Sequence, residues 1–296
     1  MSGEDVGAIR RANGGHPYGV TVIAGIHGAQ SDMGMDFEVA RLKRGGRLDE
    51  SPPLEKAILL VYGRVRLTWN GESAEVERAG CFDAPPYALR VPDGVGVTIE
   101  ALAEDTELAV VRAENGRGFP PRLYLPRDTP DEYRGAGLMG GTSTRIVRTI
   151  FDYSNAPDAS LVLGEVIGFP GKWSSYPPHH HPQPEIYYYK TNPEGGFGYA
   201  ELGERVYKVR RNDALFIREG QTHPHCAAPG YALWYLWAIR HLPGNPYTTP
   251  IFLPEHRWTL DKDATFWGKG GAGDGTRSAD DGAGAGEVPG RAVCGA

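Results

Sequence analysis

The sequence predicts an all-β protein with two barrels of jelly-roll type in one chain. Three observations carry this prediction. Helical periodicity is scarce, and the apolar residues come in short runs rich in Val, Ile, Leu, Tyr and Trp. Those runs are cut at close intervals by 41 glycines and 24 prolines, as strands joined by turns are. The series of runs occurs twice, and 296 residues are enough for two domains of ordinary size.

In the first series, strands are expected at 57–62, 64–69, 94–101 and 108–112. The turn at Trp69-Asn70-Gly71 is a hairpin signal, because Asn-Gly supplies the positive φ angles that a tight turn needs. Residues 116–141 are rich in Pro, Arg and Gly and read as an inter-domain connection, with a weak signal for a short helix at 129–134. The second series predicts strands at 145–150, 161–168, 185–189, 197–202, 206–209, 214–217 and 231–239. Residues 268–296 are mostly Gly, Ala and Asp, with almost nothing bulky to bury, so a disordered tail is expected there. The implied division is an N-terminal barrel at 1–118, a linker at 119–141, a C-terminal barrel at 142–267 and the tail.

The two series share a hairpin pattern. Glu77-Arg78-Ala79-Gly80 through Gly94 in the first matches Val209 to Asp213 through Gly220 in the second. The second copy continues Gln221-Thr222-His223, whereas the first continues Val95-Gly96-Val97 and has no histidine. The N-terminal barrel is therefore expected to hold no metal and to act as a packing partner and a homo-oligomer interface.

A net charge of −6 gives no basic face for nucleic acid. Cys81, Cys226 and Cys294 are far apart, which speaks against a disulfide framework and suits a reducing compartment. Residues 1–15 are polar, and no apolar run reaches the length of about 18 residues that spans a membrane. A cytoplasmic enzyme with no membrane partner is the expectation.

Seven of the nine histidines follow residue 178, and five of them form two clusters. In the first, PPHHHPQPE, alternation along a strand turns His179 and His181 to one face and His180 away. Glu185 follows the Pro182-Gln183-Pro184 turn and can enter the same site. The second cluster, GQTHPH, brings His223, with His225 as the alternative in the same hairpin. His-x-His, then Glu, then a distant His is the cupin metal pattern. Three imidazoles and a carboxylate suit one divalent ion among Mn, Fe, Co, Ni and Zn, with a position left open for catalysis. His16, His27, His241 and His256 are scattered and read as surface or hydrogen-bonding residues.

At these residues the sequence resembles the 5-deoxy-glucuronate isomerase family of myo-inositol catabolism, related to 4-deoxy-5-hexulose-uronate isomerases. The resemblance rests on Leu163-Gly164-Glu165-Val166, on Trp173-Ser174-Ser175-Tyr176-Pro177-Pro178-His179, and on Glu185 to Tyr189. It continues through Gly196-Phe197-Gly198, His223-Pro224, Ala228-Pro229-Gly230-Tyr231 and Tyr235-Leu236-Trp237. It covers roughly residues 144–240 well, and the N-terminal half only in pattern. Two departures stand out: the family's longer acidic insertion between the second His and the Glu is reduced to Pro182-Gln183-Pro184, and His180 stands where Lys is common.

The resemblance implies an aldose–ketose isomerase acting on a sugar acid through an enediol, with a divalent metal as Lewis acid. Candidates for the proton-moving groups are Glu185, Lys172, Tyr187 and Tyr189. The substrate carboxylate calls for a cation, and Arg145 and Arg148 are the first choices, with Lys190 next. Positions 145 and 148 have opposite strand parity, so one of the two is expected to face the cavity. Trp173 and Ser175 are candidates to shape its mouth. The same ligand set also serves cupin dioxygenases and non-catalytic sugar-acid-binding cupins, so ligands alone do not separate these functions.

Overall fold

The strand Glu55–Trp69 organises the N-terminal half. Its first part pairs with Ala88–Val91 and Thr106–Ala113, and its second part with Glu72–Arg78 and Val97–Ala101. The strand changes partners near Gly63, whose φ is +104°. A Cβ there would lie 2.8 Å from the Cα of Thr106, so only glycine allows the bend. The sequence suggested two strands, 57–62 and 64–69; the glycine between them bends one strand rather than ending it. Asn70 and Gly71 take φ values of 45° and 79° and close the expected hairpin between Trp69 and Glu72. The structure, a computed structural model, describes residues 7–12 and 14–267, so the expected tail at 268–296 lies outside the described residues.

The C-terminal half curls a seven-stranded sheet against a four-stranded one. At the centre of the larger sheet, Glu185–Asn192 pairs with Ala214–Ile217 on one side and Ala232–Arg240 on the other. Alternation sorts its side chains. Tyr187 and Tyr189 point into the barrel, among Val166, Leu215 and Tyr235. Ile186 and Tyr188 point the opposite way, into a core shared with Phe37, Leu59 and Val111 of the first barrel. Every residue of Leu161–Gly168 is buried for the same reason: one face meets the barrel interior and the other meets the neighbouring barrel.

Residues 119–141, expected as a connection, also extend both sheets. Arg122–Tyr124 pairs with Ala88–Val91, and Glu132–Arg134 pairs with the strand Arg145–Phe151. The helix expected at 129–134 is replaced by that second strand, and the helical turns in the segment are Pro126–Asp128 and Met139–Gly141. Ile9–Arg10, placed with the N-terminal barrel by sequence, pairs instead with Ala214 and Leu215 of the C-terminal sheet. After the last long strand, residues 241–260 fold back as a strap. Within the strap, Ile251–Phe252 pairs with His179–His180.

Candidate metal centre

A cavity of about 350 Å³ opens into the C-terminal barrel. His179, His181, Glu185 and His223 line one part of it. Glu185 opens the central strand, on the same face as Tyr187. His179 is held by strand pairing with Phe252. His223 precedes the short strand His225–Ala227, which pairs with Trp173–Ser174.

One ligand atom from each of His181, Glu185 and His223 lies within 4.8 Å of the others, and all three residues are buried. Nε2 of His181 is 3.1 Å and Nε2 of His223 is 3.4 Å from Oε2 of Glu185. His179 stands beside this group, with its ring centroid 4.6 Å from that of His223. His180 does not line the cavity.

The second ring nitrogen of each histidine settles what the first can do. Nδ1 of His179 faces the carbonyl of Pro177 at 2.8 Å, that of His181 the carbonyl of Gln183 at 2.8 Å, and that of His223 the carbonyl of Gln221 at 3.0 Å. A carbonyl only accepts, so each Nδ1 carries the proton, and each Nε2 is left to act as a ligand. Burial holds the pKa of His179 down at about 4 and pushes that of His223 well below its usual range, so both imidazoles are neutral, the form that binds metals. Nε2 of His223 is buried and has no hydrogen-bond partner. Lone pairs converging on a buried carboxylate, with one nitrogen orphaned, are what a divalent cation satisfies, so the residues fit a metal.

His225 does not fit that role. Its Nδ1 donates to the carbonyl of His223 at 2.6 Å, and its Nε2 accepts from the hydroxyl of Tyr189. Both nitrogens are used, which separates it from His223.

Above the ligands sits a cluster of hydroxyls. Ser175, with φ of 49°, places its Oγ 3.0 Å from the hydroxyl of Tyr187 and 3.2 Å from that of Tyr235. Burial raises the pKa of Tyr187 far above its usual value, so its phenol stays protonated. Burial also raises the pKa of Glu185, which its contacts with His181 and Tyr187 partly oppose. Arg145 lines the cavity and donates to the carbonyls of Ser143 and Tyr176, each at 2.9 Å. No carboxylate among the described residues pairs with it, and burial pushes its pKa down.

Five candidates from the sequence lie elsewhere. Arg148 is buried on the opposite face, ion-paired to Glu165 at 2.8 Å and Asp131 at 2.6 Å. Lys190 differs in parity from Glu185; it points toward the first barrel and pairs with Glu107 and Tyr188. Lys172 does not line the cavity and sits with its amine over the ring of Phe169. Tyr189 faces into the barrel but is sealed against His225, outside the cavity lining. Trp173 is 40% exposed and rests on Tyr176, away from the cavity. Sequence reasoning missed Tyr247, Thr249, Pro250 and Phe252 of the strap, and Arg134. The Tyr235 and Trp237 alternation was the one available signal for two further lining residues.

Known proteins resemble this chain along most of its length. It is 32% identical over 250 residues to a 5-deoxy-glucuronate isomerase of Geobacillus thermodenitrificans, covering 76% of this chain and 86% of the relative. Among solved structures, an IolB-like protein from Salmonella typhimurium superposes with a TM-score of 0.76 at 23% identity, covering 86% of this chain and 99% of the other. A Bacillus subtilis oxalate decarboxylase, described with Mn(II) centres, shares the fold at a TM-score of 0.56 and 13% identity, covering 79% of this chain and 74% of the other. The KduI/IolB family model matches residues 11–259, through both barrels and the strap, and the chain belongs to that family.

Proposed function

We propose that this chain is a metal-dependent aldose–ketose isomerase, converting 5-deoxy-D-glucuronate to 5-dehydro-2-deoxy-D-gluconate in myo-inositol catabolism. One observation carries the metal part. His181 and His223 face a buried carboxylate at one end of an open cavity, His179 stands beside them, and each of the three has its Nδ1 tied to a backbone carbonyl. The relative's name supports the substrate, and the Mn(II) centres of the fold neighbour support a divalent ion.

His179, His181, Glu185 and His223 hold the ion, which when bound supplies Lewis-acid polarisation to vicinal substrate oxygens. The chain's own residues do the rest. Arg145, a cation without a carboxylate partner, takes the substrate carboxylate in a charge-assisted hydrogen bond. Tyr187, kept protonated and steadied by Ser175, donates to a substrate oxygen. Glu185 is the only carboxylate among the described lining residues. It removes the proton from C2 of the aldose, giving an enediolate, and returns that proton to C1, while the hydroxyl proton of O2 passes to O1 to complete the ketose.

The test is NMR of 5-deoxy-D-glucuronate incubated with the purified protein, with oxygen uptake followed in parallel. Formation of the ketose without oxygen consumption, lost on chelation and restored by a divalent ion, is the expected result. Unchanged substrate, or oxygen uptake with a different product, overturns the proposal.

A further inference from the structure

The strap that follows the second barrel is stitched to the metal-ligand loop. Gln183 donates to the carbonyl of Asn245 at 2.9 Å, Ile251–Phe252 pairs with His179–His180, and the amide of Leu253 donates to the carbonyl of Pro178 at 3.0 Å. His241 fixes the strap further, because its Nδ1 accepts the backbone amide of Tyr247 at 2.9 Å. Together these contacts hold Tyr247 against the site. Its ring packs edge-on to His181, with centroids 4.9 Å apart, and it lines the cavity.

The tyrosines of the opposite wall, Tyr187 and Tyr235, share Ser175 as a hydrogen-bond partner. The hydroxyl of Tyr247 has no protein partner among the described residues, and it is not among the sealed polar atoms. A phenol carries its proton near neutral pH, so that hydroxyl presents a donor. A half-buried ring with an unused donor, anchored on both sides by strap contacts, is placed to meet a ligand oxygen.

We propose that Tyr247 contacts the substrate directly, donating a hydrogen bond to a substrate oxygen on the His181 side of the cavity and completing the site from the strap. The identity of that substrate as a sugar acid rests on the function proposed above. Charge that develops on the oxygen during enediol formation strengthens the bond, so Tyr247 acts on turnover more than on ground-state binding.

The experiment compares full-length wild type, Tyr247→Phe and Tyr247→Leu. Bound metal and thermal stability are measured first, then D-gluconate affinity by calorimetry, then isomerisation kinetics. Gluconate offers vicinal oxygens and a carboxylate but no carbonyl to isomerise. Tyr247→Phe is expected to keep the metal and the wild-type melting temperature, to bind gluconate roughly tenfold more weakly, and to lower kcat by about 100-fold. Tyr247→Leu, which also removes the ring from His181, should lower metal content too. Wild-type affinity and kcat in Tyr247→Phe overturn the assignment. So does loss of metal in Tyr247→Phe, which would make the residue a prop for His181, and so does failure of the wild type to bind gluconate. If the wild type binds gluconate but does not isomerise 5-deoxy-glucuronate, the proposed reaction fails while the affinity comparison still decides the role of Tyr247.

Discussion

A histidine, an arginine or a lysine in this protein takes its role from what its polar atoms already touch. His223 has one ring nitrogen spare and His225 has none, although both sit in the same hairpin. Arg145 meets only carbonyls, whereas Arg148 is spent on Glu165 and Asp131. Arg145→Met should therefore raise KM for a sugar-acid substrate by about 10- to 100-fold, with bound metal unchanged; steady-state kinetics beside elemental analysis checks both. That His179, His181 and Glu185 share one cavity was legible in the sequence, because their spacing follows strand alternation and a short turn. The roles of Arg148, Lys172 and Lys190 were not, because residue type does not reveal the partner. For Lys190 parity with Glu185 was a readable warning, since an odd-numbered face cannot present an even-numbered side chain without a bulge.

Elements were legible where local chemistry is strong. Leu161–Gly168, Phe197–Leu202 and Ala214–Ile217 lie where the apolar runs and their flanking turn residues place them. Ile9–Arg10, Arg122–Tyr124, Glu132–Arg134 and Ile251–Phe252 are too short to carry a pattern; they become strands because a longer strand offers an edge. The cavity wall built by the strap was invisible for that reason. At Gly63 the reverse holds, since a residue that usually breaks a strand lets a long one bend. Gly63→Ala is expected to destabilise the protein by about 1–3 kcal/mol, read as a lower urea midpoint, because the added methyl meets backbone at Thr106 and the positive φ is kept.

Across the whole molecule, the two barrels share one apolar core and a buried ionic cluster, in which Arg78 of the first barrel and Arg148 of the second both grip Glu165. Two consequences follow from that union. Both barrels should unfold in a single transition, seen as coincident denaturation curves by tryptophan fluorescence and circular dichroism; two separated transitions would contradict it. Glu165→Ala leaves the buried Arg78 without its carboxylate and Arg148 with Asp131 alone, and is expected to cost about 3–5 kcal/mol, measured by urea unfolding. The shared core makes the second barrel's fold, and hence its candidate metal centre, dependent on the first. The centre itself is tested most directly by counting metal ions per chain in purified wild type, His223→Ala and His225→Ala by elemental analysis. One equivalent in the wild type and in His225→Ala, with almost none in His223→Ala, is the expected result; a metal-free wild type, or loss of the ion on replacing His225 instead of His223, would contradict it.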